Sequence, residues 1–411
     1  MKTTSQEIIA GLDIGTTKVC VVIGKRCKDG IEIIGVGQSP SLGVKQGMVV
    51  NMESTAAAIR KAVTEAELMA GCEVHNVVVG IADRFIHGQN SPGVVRVKSG
   101  EVCEEDVRQV IESARTIPIP PNHDILHIIP REFIIGNQHE VHQPLGMACS
   151  RLEVKVHIVT AASTSIRNIM KSCNMAGLQV STIVLKSLAV AEAALLKEER
   201  ELGVALIDIG GGTTDIAVIR NGAVWLTAEI PVAGNHLTND LAICLQLLRN
   251  DAELLKLTHG CCLNNMVDKA ELVEITSSDV SRKKILPRRE IAAILEARVE
   301  ELFMLIARQL RRSDYEGELV AGAVITGGSS LLPGMAELAE QMLNMPVRIG
   351  CPINIRGLVD VVNQPIYSAG VGLVLYGFRT ESAPKRMNSE ENNTIVQRAT
   401  QMLRRVWKEF V

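Results

Sequence analysis

Apolar positions along the chain fall into two rhythms. Short apolar blocks at 8–12, 19–23, 31–36 and 77–81 are bounded by Gly and polar residues and predict β-strands. Between the third and fourth lies 52–70, where apolar residues recur at helical spacing and Glu53 supplies the acidic first turn that a helix N-terminus favours. Strands that alternate with helices in this way predict a mixed sheet with helices on its faces, an α/β fold. From 83 to 160 the texture changes. Short strand patterns surround one helix at 104–115, and a Pro-rich loop follows at 117–121. This stretch reads as a small domain inserted into the first half, and the strand at 154–160 returns the chain to the main body. A helix at 163–175 ending near Gly177, a strand at 180–185 and a helix at 187–196 complete that half. Helical spacing then recurs at 252–256, 288–312 and 335–343.

The segment from 380 to 393 is polar, contains Pro384, and reads as a flexible linker with a reach of roughly 20 Å. The pattern sharpens again at 394–411. On a helical wheel Ile395, Val396, Ala399, Met402, Leu403, Val406, Trp407 and Phe410 share one arc of about 140°. Arg398, Arg404, Arg405 and Lys408 take the other side with a single anion, Glu409. Aromatic and aliphatic residues opposite a basic face predict a helix lying in the interface of an anionic membrane. No run approaches the 18 apolar residues of a spanning helix, and the polar segment 1–6 has no apolar signal core.

One motif occurs twice. Gly11-Leu12-Asp13-Ile14-Gly15-Thr16-Thr17-Lys18 precedes an apolar strand, and Asp208-Ile209-Gly210-Gly211-Gly212-Thr213-Thr214-Asp215 precedes another. A turn that offers backbone N–H groups to phosphate at close range needs Gly, since a Cβ would stand in the way. Thr hydroxyls add donors, and Lys18 can reach a phosphate as a point charge. Asp13 and Asp208 at strand ends suit a hydrated Mg²⁺, which prefers a carboxylate and waters. A third strand-then-turn, Thr326-Gly327-Gly328-Ser329-Ser330, stands ahead of a helix, where it can wrap a nucleoside. Two phosphate turns far apart in the chain predict two related halves facing one nucleotide.

Composition adds limits. At 411 residues the chain exceeds a single core. Aromatics are 2%, so the cores must be aliphatic. A net charge of −3 gives no overall attraction to nucleic acid, and any basic surface must be local. Ten cysteines without a Cys-x-x-Cys pair fit reduced thiols and an intracellular setting.

Together the three turns resemble the actin/Hsp70/sugar-kinase ATPase superfamily, and within it the chain is similar to the FtsA family of bacterial actin homologues. The stretches Gly11–Val19, Gly35-Val36-Gly37, Ala66–Ala70, Leu126–Pro130 and Glu201–Val204, with the amphipathic end, carry the resemblance. It implies an actin-like fold with two halves around a nucleotide cleft. The first-half core is expected at 1–82 with a return at 161–200, and the inserted small domain at 83–160. The second-half core is expected at 201–227 and 320–362, its small domain at 228–319, and a connecting helix at 363–379. The linker at 380–393 and the membrane helix at 394–411 follow. The resemblance further implies bound ATP and Mg²⁺ and head-to-tail self-assembly. It implies a tether between the tubulin homologue FtsZ and the inner face of the cytoplasmic membrane at the division site, and recruitment of other division proteins. The FtsZ tail peptide would dock on the second small domain, where Lys284, Arg288, Arg289 and Arg298 are candidate cations.

Active members of the superfamily orient the attacking water with a carboxylate or amide on the first connecting helix. Here that helix begins Lys186-Ser187-Leu188-Ala189, and Glu192 is the nearest carboxylate. At most weak ATP hydrolysis is expected. Two other readings stay open: a pilus-assembly scaffold of the PilM type, and a small-molecule kinase with Glu192 as its catalytic carboxylate.

Overall fold

The structure, a computed structural model, describes residues 7–28, 30–276, 283–312 and 319–381. The first half opens with strands β1 (Ile8–Ile14), β2 (Lys18–Cys27) and β3 (Gly30–Pro40), then a two-residue pair, β4 (Val44–Lys45) and β5 (Met48–Val49). Helix α1 (Met52–Ala70) and strand β6 (Asn76–Ile81) follow. The side chain of Asn51 caps α1 by accepting from the Ser54 backbone N–H at 2.9 Å, and Gly71 ends it in the left-handed region. The buried face of α1 is short, with Ala56, Ala58, Ala62 and Ala66, so the helix sits close on β3. A Cβ on Gly37 would overlap the Ala62 carbonyl, so only Gly allows that approach.

The insert comprises β7 (His87–Arg96), α2 (Glu104–Ala114), β8 (His123–Ile135), β9 (Gln138–Val141) and β10 (Arg151–Ala162). Its four strands form an antiparallel sheet of order β7-β10-β8-β9. Val107, Val110, Ile111 and Ala114 of α2 close a separate core over one face. The chain then returns through α3 (Ser163–Met175), β11 (Gln179–Leu185), α4 (Lys186–Ala194) and α5 (Lys197–Leu202). The helix expected at 187–196 thus ends at Ala194. Leu195 is extended, with φ −103° and ψ 135°, and a second short helix starts at Lys197.

The second half repeats the opening. Strands β12 (Val204–Ile209), β13 (Thr214–Arg220) and β14 (Ala223–Ile230) form a meander. Helices α6 (Gly234–Leu245) and α7 (Arg249–His259), a hairpin of β15 (Leu272–Thr276) and β16 (Lys283–Pro287), and α8 (Arg288–Arg312) make a small domain. Then come β17 (Ala323–Thr326), α9 (Met335–Leu343), β18 (Val347–Ile349), β19 (Ile355–Gly357), α10 (Val359–Val362) and α11 (Ser368–Glu381). The main sheets run β11-β6-β1-β2-β3-β19 and β14-β13-β12-β17-β18. β1 pairs antiparallel with β2 and parallel with β6, as β12 does with β13 and β17, so the two sheets are built alike. β19 lies on the first-half sheet, carrying the chain back across the molecule, and α11 packs on α4 and β1.

All ten cysteines are free thiols: Cys20, Cys173, Cys261 and Cys262 are buried, whereas Cys103 and Cys244 are exposed. Among the described residues no helix is long and apolar enough to cross a membrane. The segment 394–411 lies outside the described residues.

Candidate functional site

The two repeated turns adopt the same geometry. Gly15 N–H donates to Lys18 O at 3.0 Å, and Gly210 N–H donates to Thr213 O at 3.0 Å. Each turn joins two antiparallel strands whose last paired positions include the motif Asp: Asp13 opposite Cys20, and Asp208 opposite Asp215. Thr16 and Thr17 face Gly212 and Gly211 across the cleft, so close that a Cβ on either Gly would overlap the threonine hydroxyl. Thr213 and Thr214 are buried behind the second turn, and Thr214 Oγ1 donates to Val232 O at 2.7 Å.

The third turn closes against the second. Ser329 Oγ donates to Gly210 O at 2.8 Å, and Gly327, at φ 84°, has no room for a Cβ beside the Asp208 carboxylate. Gly328 opens the short 3₁₀ turn 328–331. The first turn of α6 joins the same cluster, with Asn235 N–H donating to Gly211 O at 2.7 Å. Behind it the buried Lys256 ammonium donates to Thr238 Oγ1 at 2.9 Å and Glu253 Oε2 at 2.7 Å. Sequence reasoning missed Glu253 and Lys256, because nothing in their helix marks them apart from an ordinary i,i+3 pair.

Charge is concentrated here. The Lys18 ammonium is buried without a hydrogen-bond partner among the described residues and lies 4.6 Å from the centre of the Tyr367 ring. Lys186, first residue of α4, reaches between two carboxylates, 3.4 Å from Asp215 Oδ2 and 3.7 Å from Asp208 Oδ2. Burial works against its charge, but Asp215, Asp208, Asp13 and Glu229 outweigh burial and raise its pKa. Burial raises both aspartates even so. Asp215 is pushed up to about 7, with Lys186 pulling the other way. Glu229, across the β13–β14 ladder from Asp215, is pushed up to about 10 by burial and by the charges of Asp215 and Asp83.

A nucleotide fits what is present: a buried lysine with no hydrogen-bond acceptor, two Gly-rich turns and hydroxyls on both. A divalent ion fits less well at Asp208, whose carboxylate already faces an ammonium. Among the described residues no three His, Cys, Asp or Glu side chains converge to ligate a metal.

The family model for cell division protein FtsA matches residues 205–372, and that for the SHS2 domain inserted in FtsA matches 84–160. Cell division protein FtsA of Pseudomonas aeruginosa is 44% identical over 92% of this chain and 91% of its own length. That of Neisseria meningitidis is 40% identical over 96% and 95%, and that of Escherichia coli 38% over 92% of both. The chain belongs to the FtsA family. Solved structures agree on the fold. The PilM–PilN type IV pilus biogenesis complex covers 90% of this FtsA-family chain and 98% of the matched one, with a TM-score of 0.64 at 18% identity. MreB5 of Spiroplasma citri bound to ADP covers 92% and 97%, with a TM-score of 0.54 at 15% identity. These likenesses establish an actin-like fold, with the FtsA-type insert at β7–β10.

Glu192 does not reach the turns. Glu192 is six residues beyond Lys186, about 9 Å along the helix. It accepts from Arg200 at 3.1 Å and Arg379 at 2.7 Å, which makes it a brace between α4, α5 and α11 rather than a group facing the turns. The basic residues of the second small domain are also tied in. Arg288 donates to Glu271 at 3.0 Å and to His259 O at 2.9 Å, and Arg289 donates to Val267 O at 2.9 Å. Arg298 pairs with Asp240 at 2.5 Å and with Glu301. Lys284 stands on β16 opposite Ile275. Ile395, Met402, Leu403, Arg404, Arg405, Val406, Trp407, Lys408 and Phe410 lie outside the described residues.

Proposed function

We propose that this FtsA-family chain binds ATP between its halves and works as a membrane-bound scaffold of division rather than as a fast enzyme. The observation that carries the nucleotide reading is the meeting of the two phosphate turns, with the buried Lys18 ammonium beside them lacking a hydrogen-bond acceptor. Backbone N–H groups of residues 16–17 and 211–213, the hydroxyls of Thr16, Thr17 and Thr213, and Lys18 would hold the phosphates, and Asp13 would meet a hydrated Mg²⁺ only where the triphosphate itself carries one in. A bound triphosphate brings the negative charge that these groups are arranged to meet. Gly327, Gly328 and Ser329 would wrap the nucleoside, and Glu253, held by Lys256, offers an acceptor suited to a ribose hydroxyl. The first turn of α4 carries no carboxylate or amide of its own to orient a water, and the carboxylates near it face the Lys186 ammonium, so turnover would be slow. Titration of the purified chain with a fluorescent ATP analogue tests this, and absence of saturable binding would sink it.

The partners follow from surfaces. The second small domain exposes the apolar side chains of Ile243, Leu254, Leu257, Leu272 and Ile285, of the kind that a short apolar and acidic peptide such as the FtsZ tail would cover. Its named arginines are engaged with neighbours, so that surface leads the docking. A head-to-tail contact between copies need not close, which suits a filament. The residues 394–411 carry the pattern of an interfacial helix on an anionic inner membrane face at the division site, where other division proteins would gather. Co-sedimentation with anionic liposomes is expected for the full chain and lost in a truncation ending at Ser389. Equal pelleting of the two would remove the membrane reading. The family relationship at 38–44% identity favours this role over a pilus scaffold, for which the likeness is one of fold.

A further inference from the structure

The lysine at the start of α4 sits where the cleft would be expected to hold a metal. Its ammonium lies 3.4 Å and 3.7 Å from carboxylate oxygens of Asp215 and Asp208, and all three side chains are nearly enclosed. Asp13 is the next carboxylate acting on it. Its position is set by backbone as much as by charge. Leu185, the residue before it, donates its N–H to the buried His127 ring at 2.9 Å, which pins the joint between β11 and α4. That bond fixes the backbone from which the Lys186 side chain reaches the two carboxylates.

A divalent ion held by Asp208 would need an oxygen at about 2.1 Å and a shell of waters around it. The same carboxylate cannot give that and still face a fixed ammonium without setting like charges close together in a poorly solvated place. We infer that the Lys186 ammonium is the resident cation of the cleft, filling between Asp208 and Asp215 the place of a divalent metal and leaving phosphate binding only weakly dependent on Mg²⁺. The positive charge that other proteins recruit from solution is here part of the chain. It neutralises the carboxylates that would otherwise repel a polyphosphate, and it holds no water for attack.

Two measurements on the full chain test this. The first needs no nucleotide: Mn²⁺ is titrated into the nucleotide-free protein and followed by electron paramagnetic resonance, for wild type and Lys186→Gln. Work at about pH 8 keeps the wild-type Asp215, pushed up to about 7, largely ionised; removal of Lys186 takes away a charge that lowers it, so the variant is titrated at several pH values upward from 8. Lys186→Gln is expected to bind one Mn²⁺ at least about tenfold more tightly than wild type, as release of one competing charge at a shared site implies. Equal affinity in the two proteins would overturn the inference. The second uses wild type alone and so survives any folding defect of the variant. Affinity for a fluorescent ATP analogue is compared in excess Mg²⁺ and in EDTA. A loss of less than about threefold is expected, and a loss beyond about tenfold would overturn it. Absence of nucleotide binding in both buffers would instead reject the nucleotide reading on which this second arm rests, and the Mn²⁺ titration would still decide the role of Lys186.

Discussion

Lys18 and Lys186 are two lysines of one cleft with opposite situations. Lys186 is satisfied by carboxylates, whereas Lys18 has an aromatic ring for company and no hydrogen-bond acceptor among the described residues. A buried ammonium in that condition is held at a cost that an anion would relieve. Lys18→Ala is therefore expected to keep the fold and to weaken ATP binding about tenfold to hundredfold, the 1.5–3 kcal/mol of a hydrogen bond to a charged group. Equal affinity in variant and wild type, by fluorescence titration, would show that Lys18 faces something other than phosphate. Lys18 was legible in the sequence because it belongs to a turn motif. The partnership of Lys186 with Asp215 was not, because it depends on how the first residue of α4 meets a strand of the other half.

Helix α1 shows what the pattern could tell at the scale of an element. Its bounds follow from apolar spacing and from Gly71 beyond its end, and the structure reproduces them from Met52 to Ala70. Asn51→Ala removes the acceptor for Ser54 N–H and should cost about 1 kcal/mol. The expected sign is a lower urea midpoint at unchanged slope, and an unchanged midpoint would mean that solvent replaces the cap freely. Other elements escaped notice for physical reasons. Helix α6 begins Gly234-Asn235 and carries polar Thr238 and Asn239, so its early turns look like a loop. It becomes a helix because Gly210 and Gly211 of the second turn take its first N–H groups. Helix α7 runs Arg249–His259, beyond the expected 252–256, because Leu254 and Leu257 lie on its exposed side and blur the period. The three turns with their strands were legible throughout, since Asp, Gly and Thr at such spacing leave the backbone few alternatives.

Across the whole molecule, a buried histidine of the insert meets each half. His127 accepts from Leu185 of the first half. His157 lies between Asn90, at 2.7 Å, and Thr227 of the second half, at 2.9 Å, with Arg131 stacked 3.6 Å from the centre of the Trp225 ring nearby. Burial depresses His127 to about 4, and burial with the Arg131 charge depresses His157 to about 3. Unfolded, both would protonate near 6.5, so the unfolded chain holds more protons between that value and the folded ones. Their contribution is complete above about pH 6.5 and falls with acid by about 1.4 kcal/mol per pH unit for each histidine. Asp215 and Glu229 act in the opposite sense, since their raised values favour the fold in acid and lose that advantage as pH rises toward about 7 and about 10. Comparison with His157→Gln isolates one histidine. From pH 7 to 5 its urea midpoint should fall less than that of wild type, and parallel curves would show that His157 is not held neutral. The exposed thiols carry a last consequence. Cys20 and Cys173 are pushed up to about 12 by burial and Cys262 is also raised, so they resist alkylation, while Cys103 stands at the start of α2 in the insert and Cys244 on α6 in the second half. Cys27, Cys72, Cys149 and Cys351 are half-buried, and with those four replaced by serine Cys103 and Cys244 become a pair of spin-label handles, one on the insert and one on the second half, a ruler by which movement between them can be read.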